Sequence, residues 1–383
     1  METGRQLRVA IIQRVLPHYR LSFMRRLREK LETHAIDLRL IYGQERPDTV
    51  PKSVDLTDSW ATKIKNLYID TPVGELVWQP CLRYLQDVDL LIVEQANRLL
   101  VNYPLQFFWR NRTRNLAFWG HGTNFQAQNR RGFKEKLKSL FAGKVDWWFA
   151  YTDYSAALVR SAGYPSERIT VVNNSIDTEE LKTAILSVTP EQKLSIRNQL
   201  GLGAGPVALY CGGMYPDKKL TFLFDAAEQI REKVKDFHLI LIGSGPNEEL
   251  VKSAAAKHFW IHYPGAVFGA ERAVYFALSD LMMMPGLVGL AIVDCFVAGI
   301  PLFTTRIPIH SPEIVYLENG QNGIITPFDV EQYADEVAKY LLDNDRMAAL
   351  VKGCTKSASR YTLDAMVENF SAGVFALLDG EPD

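Results

Sequence analysis

Residues 206–245 read PVALYCGGMYPDKKLTFLFDAAEQIREKVKDFHLILIGSG. Two apolar runs, at 206–213 and 237–245, flank a helical pattern over about 219–235, and each run ends in glycines. Apolar strands that alternate with helices are typical of a parallel sheet covered on both faces. This stretch therefore predicts an α/β fold.

The same alternation extends along most of the chain. Further strand-like runs lie at 7–13, 36–43, 88–95, 116–122, 145–151, 168–174, 260–265, 278–286, 301–305 and 323–327. We predict two Rossmann-like, doubly wound domains that face a central cleft, with ligands at the carboxyl ends of the strands. The expected boundaries are 1–178 and 179–360, with a seam near 174–204 and a C-terminal helix in 361–383 that crosses back to the first domain.

Length and composition agree with two folded domains. The chain has 383 residues, of which 47% are hydrophobic and 23% are charged, and a single core rarely organises so many residues. The net charge of −1 hides an asymmetry, because residues 1–180 carry 26 Lys+Arg against 20 Asp+Glu and residues 181–383 carry 17 against 24. A basic first half suits anionic lipid, nucleic acid or phosphorylated substrates, and chance also explains it.

The cysteines and the lengths of the apolar runs bear on where in the cell the protein is expected. Four cysteines lie far apart in mostly apolar surroundings without metal-ligand spacing, which is typical of reduced core thiols in a cytosolic protein: Cys81, Cys211, Cys295 and Cys354. METGRQLRVAIIQ predicts a short strand after a polar lead rather than a signal peptide. The apolar runs stay below the roughly 18 residues that span a bilayer.

The stretch PGLVGLAIVDCFVAGIP, residues 285–301, is the first candidate site. A strand ends at Pro285, a helix is expected from about 290 to 298, and its first N–H groups and dipole favour a phosphate. Gly289 lets a ligand approach the backbone, and Asp294 can accept hydrogen bonds from two neighbouring hydroxyls. A buried helix whose one acid caps a neighbour or points to solvent explains this stretch equally well.

The corner YCGGMYPDKK, residues 210–219, is the second candidate. Lys218 and Lys219 follow a strand and a diglycine at Gly212, where a lysine is a point charge for an anion. An ordinary strand–loop–helix corner with solvated lysines is the alternative.

Candidate residues in the first half also follow strands. His121 lies between two glycines and suits a phosphate, a substrate hydroxyl or proton transfer, although a lone histidine is more often structural. The loop after the first strand carries Arg14 and Arg20 but lacks GxGxxG, which counts against an NAD or FAD enzyme. Glu94 and Asn97 follow another strand and are expected to line the cleft.

Basic and aromatic residues interleave at 107–119 and 129–149. Helical spacing of Phe133, Leu137 and Phe141 among lysines fits an interfacial helix on anionic lipid, and it fits an ordinary amphipathic surface helix at least as well. Nucleic acid is disfavoured because no recognised binding motif accompanies the charge.

Four stretches, in this order, carry a resemblance to a known family: GGMYPDKK, GSGP, VGLAIVD and, at 310–323, HSPEIVYLENGQNG. Together they resemble retaining GT-B glycosyltransferases of the family 4 type, and PGLVGLAIVDCFVAGIPLFTT looks like a bacterial subset that works on surface polysaccharides. By this resemblance Asp294 matches the acid that holds the nucleotide ribose, and His121 matches a histidine near the donor sugar. Lys218 matches the lysine that neutralises the diphosphate, with Gly212 before it. The matching diphosphate-binding helix start consists of Gly289, Leu290, Ala291 and Ile292.

The chain also departs from this family pattern. The first acid of the family's acid pair falls at Gly286, and the arginine that precedes the lysine falls at Gly213. The missing charge is expected from Arg14, Arg20 or Lys219.

The resemblance implies transfer of a sugar from a nucleotide-diphosphate donor to a hydroxyl of a glycan or lipid-linked acceptor. We further expect retention of configuration, no cofactor and no metal. We also expect a cytoplasmic location with peripheral contact to anionic membrane, and no nucleic acid as a partner. The region of His262 to Gly265 is expected near the base. A catalytically silent or regulatory GT-B-like protein and a sugar-nucleotide epimerase are the alternatives.

Overall fold

The computed structural model describes residues 5–46, 53–72, 74–109, 115–122 and 144–380. The chain divides into two compact units, one of Met1–Ile176 with Leu363–Asp383 and one of Asp177–Thr362. Each unit has its own parallel sheet with helices, so the predicted class of two doubly wound α/β domains is confirmed. The residues that carry the expected interfacial helix, Phe133, Leu137 and Phe141, lie outside the described residues.

Parallel strands form one large sheet in each unit. The strands of the first unit are β1 (Leu7–Gln13), β2 (Ile36–Gly43), β3 (Ala61–Ile64), β4 (Leu67–Thr71), β5 (Gly74–Trp78), β6 (Leu90–Glu94), β7 (Asn115–Gly120), β8 (Trp147–Ala150) and β9 (Ile169–Val171). Those of the second unit are β10 (Val207–Cys211), β11 (His238–Ile242), β12 (Ile261–Gly265), β13 (Leu281–Met283), β14 (Leu302–Thr305) and β15 (Gly323–Thr326). The sheet orders are β3-β2-β1-β6-β7-β8-β9 and β12-β11-β10-β13-β14-β15, and β4 and β5 form an antiparallel hairpin.

Helices connect these strands. They are α1 (Leu21–Glu32), α2 (Asp153–Ser161), α3 (Glu179–Leu186), α4 (Pro190–Leu200), α5 (Leu220–Lys233), α6 (Glu248–Lys257), α7 (Ala273–Leu278), α8 (Ala291–Ala298), α9 (Val330–Leu341), α10 (Asn344–Arg360) and α11 (Leu363–Asp379). Short 3₁₀ turns lie at His18–Arg20, Leu82–Tyr84, Ser166–Arg168, Pro216–Lys218, Gly269–Arg272 and Pro312–Tyr316, and Asn102–Pro104 leads into a π-helical turn at Leu105–Trp109.

The core of the first unit includes the C-terminal helix. The apolar face of α11 packs with α1 and the sheet, and Met366, Phe370 and Val374 are fully buried there. The ring of Phe370 stacks on Phe149 with centroids 4.2 Å apart. Because burial of an aromatic ring is a large apolar contribution, α11 is part of the first unit's core.

The stretch 174–204, expected as a seam, contains two helices. Thr189 and Gln192 form a reciprocal capping box at the start of α4, and Gly201 ends that helix in the left-handed conformation with φ of +63°. From Asp177 onward the stretch belongs to the second unit, and α3 packs beside α7 and α8. The 3.6-residue apolar period is weak in α4, which has no buried residue.

Across the described ranges, no helix is long and apolar enough to cross a membrane.

Candidate functional site

Two glycine-rich turns, after β10 and after β11, pack backbone to backbone. The amide of Met214 donates to the carbonyl of Ser244 over 2.9 Å. Gly243 has φ of +140°, and a Cβ atom there would lie 1.9 Å from the carbonyl oxygen of Gly212. Only glycine fits this position, so the GGMY and GSGP segments form one packed element at the carboxyl edge of the sheet.

Lys218 ends the 3₁₀ turn of this element. Its Nζ donates to the carbonyl of Leu287 over 2.5 Å and lies 3.7 Å from the Sδ of Met284. Burial lowers the pKa of Lys218 to about 8, so the ammonium still carries its charge at pH 7. An ammonium has three donors, and the carbonyl of Leu287 and the sulfur of Met284 leave one of them for an anion.

The turn after β13 is attached to the Lys218 turn through backbone. The amide of Leu287 donates to the carbonyl of Asp217 over 2.9 Å. A Cβ atom at Gly286 would lie 2.3 Å from the carbonyl oxygen of Asp217 and 2.3 Å from the carbonyl carbon of Lys218. Backbone therefore fills the space in which a carboxylate at position 286 would begin.

The start of α8 offers backbone amides to an anion, but Ile292 does not belong to the donors that were expected there. The amide of Ile292 donates to the carbonyl of Gly289 over 3.3 Å, because the helix begins at Ala291 rather than at Leu290. The candidate anion donors are thus the amides of Gly289, Leu290 and Ala291. Side-chain space at Gly289 is open, with the Oγ of Ser311 as its nearest neighbour at 3.5 Å.

Asp294 is buried in α8 and forms a bidentate ion pair. The Nη1 of Arg272 lies 2.6 Å from Oδ2 of Asp294, and Nη2 lies 3.1 Å from Oδ1. Burial raises the pKa of the Asp294 carboxyl, and the charge and hydrogen bonds of Arg272 act in the opposite direction. The acid is therefore neither an unpaired core group nor exposed to solvent, and the remaining lone pairs of its oxygens are what it can offer to hydroxyls.

Cys211, the last residue of β10, is the common neighbour of these charges. Its thiol interacts with Asp294, Arg272 and Lys218. Burial, followed by the charge of Asp294, raises the pKa of this thiol to about 12, so it stays protonated and is a poor nucleophile. The structure thus brings Lys218 and Asp294 to one edge of the second unit's sheet, together with Arg272.

Arg272 was missed by the sequence analysis. It lies 22 residues before Asp294, and no periodic pattern relates two residues on separate elements. The available signal was its position in the loop after β12, because strand-end loops of a parallel sheet share one edge.

In the first unit, His121 and Arg20 share one cluster. Burial, and secondarily the charge of Arg20, lowers the pKa of His121 to about 4, and its ring lies 4.4 Å from that of Tyr151. Arg20 is only 3% exposed, with its guanidinium carbon 4.9 Å from the ring centre of Trp119. Aromatic rings enclose this side chain, and its expected contact with a substrate stays a prediction. His121 is neutral at pH 7.

The other first-unit candidates lie at the ends of β1 and β6. The carboxylate of Glu94 accepts the backbone amide of Arg14 over 3.1 Å, which ties the two loops together. The Nε of Arg14 is buried and has no hydrogen-bond partner among the described residues. Asn97 is exposed, and its carbonyl accepts the hydroxyl of Tyr103. Within the described part of the chain no three His, Cys, Asp or Glu side chains are grouped as metal ligands.

The side chain of His262, the first residue of the region expected near the base, is paired with a second histidine. The Nε2 of His262 lies 2.9 Å from the Nδ1 of His238, and both rings are buried. Burial lowers the pKa of His262 to about 4 and lowers that of His238 as well. The imidazole of His262 is thus engaged within the sheet between β11 and β12.

This histidine pair makes the stability of the second unit depend on pH. Between about pH 6.5 and pH 4 the unfolded chain binds protons that the folded pair does not, so stability is lost as pH falls through this window. We expect a loss of about 2–3 kcal/mol at pH 4 relative to pH 7, at 1.36 kcal/mol per pKa unit. Urea unfolding of wild type and His262→Gln at pH 7, 5.5 and 4 measures it; equal losses in both proteins would contradict the assignment.

Part of the second unit is similar in sequence to a known family. Residues 205–343 match the family model for glycosyl transferases group 1. The GDP-mannose-dependent alpha-(1-6)-phosphatidylinositol monomannoside mannosyltransferase of Mycobacterium tuberculosis is 25% identical over 215 residues, 52% of this chain and 53% of that protein. The alpha-D-kanosaminyltransferase of Streptomyces kanamyceticus is 24% identical over 228 residues, 56% of each. The matched part of the chain thus spans about half the length of these curated relatives.

Solved structures extend the likeness to the whole chain at the level of fold. Anabaena Alr3699/HepE in complex with UDP superposes with a TM-score of 0.69 at 16% identity, over 96% of this chain and 99% of that one. The predicted two-domain GT-B fold is confirmed by this likeness. Residues 205–343, which hold Lys218, Arg272 and Asp294, match the family model for glycosyl transferases group 1, and the chain as a whole has the GT-B fold.

Proposed function

We propose that this protein is a glycosyltransferase that moves a sugar from a nucleotide-diphosphate donor to an acceptor hydroxyl. The observation that carries the proposal is the convergence of Lys218, Asp294 and the start of α8 on one edge of the group 1 domain. A cation and backbone amides suit a diphosphate, and a carboxylate beside them suits ribose hydroxyls.

The chemistry follows from where charge develops. As the bond between the sugar and the diphosphate breaks, the leaving diphosphate gains negative charge, and groups already placed to receive that charge lower the barrier. Lys218 and the amides of Gly289, Leu290 and Ala291 are the groups in this position. His121, neutral at pH 7, is able to accept or donate a hydrogen bond to substrate.

The finer properties rest on the family resemblance and on the relatives. Retention of configuration, independence of a metal, and a role in bacterial polysaccharide or glycolipid synthesis belong to the family 4 resemblance. One relative acts with GDP-mannose on a phosphatidylinositol monomannoside, and HepE is known in complex with UDP. We therefore propose a UDP- or GDP-sugar as donor and a glycan or lipid-linked glycan as acceptor, handled at the cytoplasmic side.

The test is release of nucleoside diphosphate from a panel of sugar nucleotides. UDP-glucose, UDP-galactose, UDP-N-acetylglucosamine and GDP-mannose are each incubated with the protein, with and without a bacterial membrane extract as acceptor. We expect release of UDP or GDP with one donor, increased by the extract and absent with heated protein. Conversion of the sugar nucleotide without extract indicates an epimerase, and no turnover of any donor indicates a silent or regulatory protein.

A further inference from the structure

Arg272 is the more exposed partner of the ion pair in the site. Its side chain is 21% exposed, whereas that of its partner Asp294 is 7% exposed. The accessible part of this ion pair therefore belongs mostly to the Arg272 side chain. Arg272 ends the 3₁₀ turn Gly269–Arg272 that leads into α7, so its backbone is held by regular structure.

The hydrogen bonds of Arg272 leave donors for a ligand. A guanidinium has five N–H donors in a planar fork. Asp294 takes two of them, and the thiol of Cys211 lies beside the guanidinium. The N–H donors that remain are held in a fixed orientation by the ion pair. The planar arrangement of these donors matches the oxygens of a phosphate.

Two cations lie together in this cluster. Lys218 and Arg272 both interact with Cys211, as does Asp294, and Asp217 interacts with Lys218. A diphosphate brings two or more negative charges, so a second cation beside Lys218 stabilises it further. The ring of Tyr215 occupies the space beside Gly213, where the family resemblance expects an arginine, because a Cβ atom there would lie 2.2 Å from this ring.

We infer that Arg272 is a second cationic ligand of the donor's diphosphate, with Asp294 holding its guanidinium in place. This inference rests on the proposed function. The pair then serves two parts of one ligand, since the carboxylate accepts from the ribose while the guanidinium donates to phosphate oxygens. Arg272 supplies the positive charge that relatives place before the lysine.

Binding of separate parts of the donor distinguishes a direct contact between Arg272 and the diphosphate from a role of Arg272 in positioning Asp294 alone. Wild type, Arg272→Gln and Asp294→Asn are titrated with UDP, GDP and inorganic pyrophosphate by calorimetry, and with uridine and guanosine by ligand-observed NMR. For Arg272→Gln we expect about 10–100-fold weaker binding of pyrophosphate and of the nucleoside diphosphate that wild type binds, consistent with loss of a charge-assisted hydrogen bond, and less than about threefold for the nucleoside. For Asp294→Asn we expect weaker binding of the nucleoside, which loses its ribose acceptor, and a smaller loss of pyrophosphate binding, because the Arg272 guanidinium loses its partner.

Controls keep the inference falsifiable. Arg346→Gln removes an exposed arginine of the same unit, paired only locally with Asp343, and should bind as wild type. The double variant R272Q/D294N avoids a buried carboxylate without its partner, and should lose as much pyrophosphate affinity as Arg272→Gln. Equal losses for nucleoside and diphosphate, or unchanged pyrophosphate binding in Arg272→Gln, would overturn the inference. Wild type that binds neither UDP nor GDP would instead overturn the proposed function.

Discussion

Replacing Lys218 with methionine is expected to lower kcat/KM by about 10²–10³-fold, the range seen when one preorganised charge-stabilising donor is removed. The Nζ of Lys218 donates to the carbonyl of Leu287 and lies beside Met284, so the apolar stem of methionine fits the same space. The effect is expected chiefly in kcat, because the diphosphate is most negative in the transition state. Rates of UDP or GDP release with the preferred donor measure it.

The same variant tests the pH dependence. Since burial lowers the pKa of Lys218 to about 8, affinity for the nucleoside diphosphate should fall in wild type as pH rises through about 8 and the ammonium loses its proton. Lys218→Met should show no such fall. Lys257→Met removes a lysine whose side chain is 73% exposed and serves as the matched control. A Lys218 variant with more than half of the wild-type rate would remove Lys218 from the proposed mechanism.

Phe370→Ala is expected to destabilise the first unit by about 3–5 kcal/mol, the usual cost of truncating a buried phenylalanine. The ring is fully buried on α11, with centroids 4.2 Å from Phe149, 5.1 Å from Trp119 and 5.3 Å from Phe23. Its loss leaves a cavity where helix and sheet meet. Urea unfolding followed by tryptophan fluorescence measures the change, because Trp119 lies in the same core.

The control for this variant is Phe259→Ala, since the side chain of Phe259 is 78% exposed and its removal should change stability by less than about 0.5 kcal/mol. A loss below about 1 kcal/mol for Phe370→Ala would show that α11 contributes little to the core.

Most strands could be predicted because they are buried on both faces. The five residues of β11 are all buried, and such runs stand out in a sequence. The edge strand β3 and the hairpin of β4 and β5 were missed, because Leu67 and Ile69 are exposed and the apolar signal there is discontinuous. Helices α3 and α4 were not predicted, and the stretch that holds them was interpreted as a seam between domains. For α4 the reason is that it buries no residue, so its sequence shows little apolar periodicity.

The residues of the site also differ in how well the sequence predicts them. Lys218 and Asp294 lie on the segments that follow strands, and parallel topology brings such segments to one edge of the sheet. The pairing of Asp294 with Arg272, and of His262 with His238, depends on side-chain contacts between separate elements. Those contacts are set by three-dimensional packing, which neither spacing nor periodicity encodes.

The contact of Gly286 with the Lys218 turn bears on how this chain can change over evolution. A side chain cannot be introduced at position 286 by one substitution, because its Cβ would meet the backbone of Asp217 and Lys218 at 2.3 Å. Making room would require moving the turn that carries Lys218, and the cation would be displaced in the same step. Position 286 is therefore fixed as glycine for as long as Lys218 keeps its place.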